Sequence, residues 1–209
     1  MKKTFVLVVL FVLPLVVYMF FASGVTHFGK LPVLAGPVDE LSRFDAGEQL
    51  QGHITILGFL GSAVDEKKGQ VFNLNQKIYK PFYEFHDFQM VMLVPEGTQP
   101  QVDGVMKELS GFTDTRNWRF VYGSEADIRA FFQSLHTDLR LDATGGTPFV
   151  FILDKDRMLR GRARDEDDST KFGFDATSVA DLNNKMKDDV KIILAEYRLA
   201  LKKNQARRD

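Results

Sequence analysis

Few side chains in this 209-residue chain can do chemistry, and the most reactive kind is missing: there is no cysteine. Disulfides, thiolate nucleophiles and thiolate metal ligands go with it, because each needs a sulfur that can lose a proton. The soft donors left are four histidines and seven methionines. His86, Met90 and Met92 come nearest to a cluster, and imidazole with thioether suits Cu(I). Met90 and Met92 share one face of an apolar strand, where methionine usually serves as adaptable core filler, so no metal is expected there. His27 falls in a connector, His53 opens a strand and His136 lies near a helix end, which keeps the three apart. Asp65 and Glu66 could work as acid and base only in a closed pocket that raises a carboxyl pKa. Asp165-Glu166-Asp167-Asp168 lacks the alternating ligands and central glycine of a calcium loop, so it reads as an exposed acidic loop. Arg160, Arg162 and Arg164 alternate onto one strand face, to pair with that loop or to present a basic stripe. No Ser-His-Asp order, phosphate-binding glycine loop or zinc motif occurs. No cofactor is expected. With 27 basic and 28 acidic residues there is no global field to draw in nucleic acid.

The elements that must position these groups follow from periodicity. Ile54 to Leu60 is apolar without alternation, as in a strand buried on both faces, and it stops abruptly at Gly61-Ser62. Val71, Leu74, Ile78, Phe82 and Phe85 recur at three and four, which predicts an amphipathic helix. Phe88 to Val94 is a second buried strand. Val102, Val105, Met106 and Leu109 mark a short helix stopped by Gly111, and Asn117 to Tyr122 a third strand. Ser124 is placed to cap a further helix, with Asp127 three residues on and Ile128, Phe131, Phe132 and Leu135 as its apolar face. Phe149 to Asp154 and Met158 to Arg164 form a hairpin across Lys155-Asp156-Arg157. Residues 165 to 175 read as a polar loop. A long helix from about Ser178 to Lys203 closes the chain, with a stripe from Val179 through Leu182, Met186, Val190, Ile193, Leu194 and Tyr197 to Leu201. The order βαβαβα, hairpin, α defines an α/β fold with a mixed central sheet and helices on both faces.

Upstream, Lys2-Lys3 precede a charge-free run from Thr4 to Gly24, long enough at about 1.5 Å per residue to nearly match a hydrocarbon core of about 30 Å. One N-terminal transmembrane helix is therefore expected, with the lysines holding the N-terminus in the cytoplasm. Ala22-Ser23-Gly24 also offers a peptidase small residues, so a cleaved signal is the alternative. The expected division is an anchor over 1–24, a lead-in over 25–48 with Leu31 to Leu34 as a short edge strand, the α/β domain over 49–203 and a polar tail over 204–209.

Taken in order, these features resemble a thioredoxin-fold protein of the Sco/SenC type, the membrane-tethered copper chaperones of cytochrome c oxidase assembly. The resemblance runs from about Leu31 to Tyr197 and rests on the anchor, the Leu31-Pro32 lead-in, GHITILGFLGS, NWRFVYGSEADIRAFFQSL, TPFVFILDKDRMLRGR and the terminal helix. It implies a thioredoxin-like fold and a cis bond between Thr147 and Pro148. It also implies a pair of cysteines about four residues apart in the turn after the first strand, and a histidine shortly before the hairpin. Here the turn reads Gly61-Ser62-Ala63-Val64-Asp65-Glu66, a degenerate site, and Gly145-Gly146-Thr147-Pro148 stands before the hairpin. The chain is thus expected to be a non-enzymatic protein on the outer, periplasmic side of the inner membrane. Its role would be contact with a protein partner, respiratory oxidase or one of its assembly factors. The alternatives are a copper accessory using His and Met, and a thiol-independent enzyme at the degenerate turn.

Overall fold

The structure, a computed structural model, describes residues 10–15, 30–44 and 47–205. The expected anchor and His27 lie mostly outside them; residues 10–15 are helical, and no helix among the described residues is long and apolar enough to cross a membrane.

Strands β1 (Val33–Ala35), β2 (Ile54–Phe59), β3 (Phe88–Pro95), β4 (Trp118–Gly123), β5 (Phe149–Leu153) and β6 (Leu159–Arg160) form one sheet in the order β1-β6-β5-β2-β3-β4. The pairs β2–β3 and β3–β4 are parallel, and β2–β5, β5–β6 and β1–β6 are antiparallel. Two parallel crossovers followed by an antiparallel hairpin give the mixed sheet of a thioredoxin-like fold. Pro32 and the short β1 suit the edge that they occupy.

Every residue of β2 and β3 is buried, because helices cover both faces. On one face Ile54, Ile56, Met90, Met92, Trp118 and Ile152 pack against the helices that follow β2 and close the chain. On the other, Leu57, Phe59, Val91, Leu93, Val121, Phe151 and Leu153 meet the helix after β4 and the lead-in residues Val38, Leu41 and Leu50. Each such side chain contributes roughly 1.5–3 kcal/mol by leaving water. Met90 and Met92 are fully buried. A Cβ on Gly58 would stand 2.5 Å from the Met92 sulfur, so the thioether occupies space that the glycine leaves.

Helix α1 is continuous but not uniform: Lys68–Leu74 is α-helical, Asn75–Tyr79 widens into a π turn, and Lys80–Phe82 returns to α. The wide turn buries Asn75 beside Ile78 and Tyr79, and precedes Pro81, which cannot donate a backbone hydrogen bond. Helix α2 (Gln99–Ser110) ends at Gly111. Helix α3 (Glu125–Gln133) begins at Ser124, whose hydroxyl accepts from the Asp127 N–H at 3.1 Å and donates to the Asp127 carboxylate at 2.6 Å. Helix α4 starts at Val179–Asp181, passes through a second π turn at Leu182–Met186 and runs on from Lys187 to Gln205. Val179, expected on its apolar stripe, is exposed.

The closing hairpin is tied down by charge. Asp154 accepts from the Asp156 and Met158 N–H groups, both at 2.9 Å, and pairs at 2.8 Å with buried Arg160. Arg160 also reaches Glu196 on α4 and the Leu31 carbonyl before β1. Arg162 forks onto Asp189 of α4 at 2.8 and 2.9 Å, and exposed Arg164 pairs with Asp168 at 3.3 Å. The arginines therefore form no basic stripe. Asp165 is not exposed as the acidic loop predicts; it is mostly buried and pairs with Lys185 at 2.8 Å. The polar loop also holds an unforeseen strand, β7 (Phe174–Asp175), which buries Phe174 and pairs with the start of β5.

Candidate functional site

Strand β2 delivers the chain to the turn that begins at Gly61. Leu60 bridges Gly146, the Thr147 N–H donates to the Phe59 carbonyl at 2.9 Å, and the Ser62 N–H donates to the Thr144 carbonyl at 2.9 Å. The turn and the loop before β5 are thus laced together by backbone. Gly61 makes this possible in two ways: its φ is +66°, and a Cβ there would come within 2.6 Å of the Gly146 nitrogen. Val64 is buried and pins the turn to the core, whereas Ser62, Asp65 and Glu66 are exposed and Ala63 half-buried. Asp65 and Glu66 therefore stand in solvent, outside any closed pocket.

At the centre of this junction lies an ion pair. The Lys67 side chain, 11% exposed, sends its ammonium to Asp142 Oδ2 at 2.7 Å and to Thr144 Oγ1 at 3.2 Å. Asp142 Oδ1 in turn accepts from the Thr144 N–H at 2.8 Å, the Thr144 hydroxyl at 2.6 Å and the Gly146 N–H at 3.0 Å. Burial opposes the charge on Asp142, but the hydrogen bonds from Lys67, Thr144 and Gly146 outweigh it and hold the carboxyl well below the usual carboxylate range. A carboxylate so fully engaged is a poor proton acceptor at neutral pH. A Cβ on Gly146 would collide with Lys67 Nζ and sit 2.6 Å from the Leu60 carbonyl oxygen, so the glycine leaves the space that the ammonium fills.

Copper does not fit the residues present. Gly61 to Glu66 and Gly145 to Pro148 contain no thiolate, thioether or imidazole, the donors that Cu(I) needs. The group that occupies their junction, Lys67, is itself a cation that would repel another. His86 does not join Met90 and Met92: its side chain is 97% exposed and bonded to Asp87 at 2.7 Å, while both methionines are inside the core. Among the described residues no group of three or more His, Asp or Glu is placed to hold a metal ion. Exposed His136 bonds the Ser134 carbonyl at 2.8 Å, and the Nδ1 of His53 is buried without a partner.

One expectation for this site is corrected. The Thr147–Pro148 bond is trans; the cis bond among the described residues is Gly36–Pro37. Thr147 leads through a bend at Pro148 into β5, with the Thr147 N–H bonded to the Phe59 carbonyl and the Pro148 carbonyl accepting from the Ala176 N–H at 2.8 Å. β2 and the residue after β7 thus hold the segment on either side, and the trans bond meets both partners.

Lys67 and Asp142 are the residues that sequence reasoning missed. Lys67 is one of two adjacent lysines in a charged run, and its partner lies 75 positions away. The sequence signal for the loop was Asp142-Ala143-Thr144-Gly145-Gly146, an aspartate followed by a hydroxyl and two glycines, which suits a side chain that bonds nearby backbone.

No protein-family model matches the chain, and no curated protein is similar to it. Among solved structures it is similar to Arabidopsis thaliana ScoI with copper bound, at 14% identity and a TM-score of 0.45, over 75% of this chain and 99% of that one. It is similar also to yeast Sco1, at 14% identity and a TM-score of 0.40, over 75% and 96%. A third is the thioredoxin domain of a thiol-disulfide oxidoreductase from Bacteroides vulgatus, at 13% identity and a TM-score of 0.41, over 75% and 92%.

Proposed function

We propose that this chain is a membrane-anchored, non-catalytic thioredoxin-like protein that works by contact with a protein partner, respiratory oxidase or one of its assembly factors. The observation that carries the reading is the Lys67–Asp142 pair, which fills the junction between the turn after β2 and the loop before β5. A thiolate is the attacking species in disulfide exchange, and this chain has none to offer. The link to oxidase comes from the Sco/SenC resemblance, and fold alone does not fix function. The placement on the outer side of the inner membrane comes from Lys2-Lys3 and the apolar run after them.

Crosslinking in native membranes followed by pull-down of the tagged chain tests this reading. Recovery of oxidase subunits or copper chaperones is the expected result. Recovery of unrelated envelope proteins alone would sink it.

A further inference from the structure

Beside the loop that carries Asp142 lies a groove of about 390 Å³, within the range of roughly 300–1,000 Å³ typical of ligand sites. One wall is α3, where Arg129 and Phe132 stand three residues apart and so share a face. His136, at a φ of +51°, turns the chain after α3, and the loop over 137–141 forms the other wall with Thr137, Leu139, Arg140 and Leu141. The floor is firm: Phe132 packs edge-on against Phe59 and Phe151 of the core, with ring centroids 5.1 and 6.0 Å away.

The charges around it are unusual for this molecule. Among the described residues Arg43, Arg116, Arg119, Arg157, Arg160, Arg162 and Arg164 each meet a carboxylate, and Arg198 lies over the Phe85 ring. Arg129 and Arg140 are the two described arginines with no partner; both line this groove and both are exposed. Thr137 Oγ1 is buried there without a hydrogen-bond partner, a state that costs free energy until something supplies one. Exposed Asp138 is the acid within the same loop, and it pairs with neither arginine.

We propose that this groove is a docking site for an acidic peptide segment of a partner protein. The two guanidiniums take carboxylates, each able to form a two-pronged pair, while Phe132, Leu139 and Leu141 receive an apolar side chain between them. Thr137 favours a peptide over a small amphipathic carboxylate, because a peptide backbone brings amide groups that can satisfy its unpartnered hydroxyl. Leu141, which lines the groove, is followed in the chain by Asp142, the residue that Lys67 fastens.

The test uses the purified full-length chain and the peptide fluorescein-Gly-Glu-Leu-Phe-Glu-Gly-amide, labelled at its N-terminal amine and read by fluorescence anisotropy. The expected result is that replacing both glutamates of the peptide by glutamine weakens binding about tenfold or more, and that R129Q and R140Q each weaken it about fivefold. R164Q, exposed and outside the groove, should leave binding within about twofold. Melting curves of the variants accompany the titrations; if one is poorly folded, the comparison of the two peptides decides alone. Equal binding of the two peptides, arginine variants that bind like the parent, or no anisotropy change up to about 1 mM peptide would each overturn the proposal. So would arginine-dependent binding of decanoate by a chain that ignores the peptide. The inference rests on the protein-contact reading, yet the two fail separately: an inert groove leaves a pull-down of oxidase subunits standing, and recovery of unrelated proteins leaves the peptide titration standing.

Discussion

Two neighbouring regions of this molecule have opposite chemistry. At the turn after β2 the buried cation has its anion: Lys67 meets Asp142, and Asp142 is satisfied by Thr144 and Gly146 as well. In the groove beside α3 two arginines and a buried hydroxyl have no partner at all among the described residues. The first has an internal partner for each charge and needs nothing from outside. The second keeps donors free that a ligand can take up. Unsatisfied groups, more than position in a fold, mark where a ligand can bind.

Breaking the closed site should cost most. Gly146→Ala drives a Cβ into Lys67 and the Leu60 carbonyl, and is expected to lower stability by roughly 3 kcal/mol in urea unfolding. A loss near zero would mean that the turn and the loop are not packed as described. Lys67→Met should cost about 1–2 kcal/mol, discounted because the Asp142 side chain is 42% exposed to solvent. The double variant with Asp142→Asn should lose less than the sum of the single changes, with a coupling of about 1 kcal/mol. Strict additivity would show that the two side chains do not act as a pair.

The pair also has a pH signature. Because the folded-state pKa of Asp142 is depressed, its contribution is complete above the unfolded carboxylate value of about 3.9 and is lost as pH falls below that. The stability difference between the parent and Asp142→Asn should therefore stay level from about pH 8 to 5 and shrink below about pH 4. A difference that already decays at neutral pH would contradict this ordering. The smallest effect belongs to the open groove: Arg129→Gln and Arg140→Gln should each change stability by no more than about 0.5 kcal/mol. A larger loss would reveal an intramolecular partner for those arginines.

The elements were legible wherever burial sets a period. The unbroken apolar run of β2, the capped start of α3 at Ser124 and the stop of α2 at Gly111 all follow from local rules. The π turns in α1 and α4 were not, because Val71, Leu74 and Ile78 keep spacings of three and four through the widened turn, as an ordinary helix would. β7 escaped notice because Phe174 and Asp175 are too short a run to carry a period. The turn itself was found as a place, but its contents were not. Lys67 differs from Lys68 only in which way it points, and that is set by a loop far along the chain. The cis bond expected before Pro148 was carried by resemblance alone, and here the bond is trans.

The turn after β2 is a closed scaffold with no soft metal ligand among its residues. Titration of the full-length chain with Cu(I) in competition with a chromogenic chelator tests it most directly. The expected result is that the chelator keeps the copper, and that His86→Ala and Met90→Leu change nothing. One equivalent of Cu(I) held against the chelator, and released by either substitution, would contradict it.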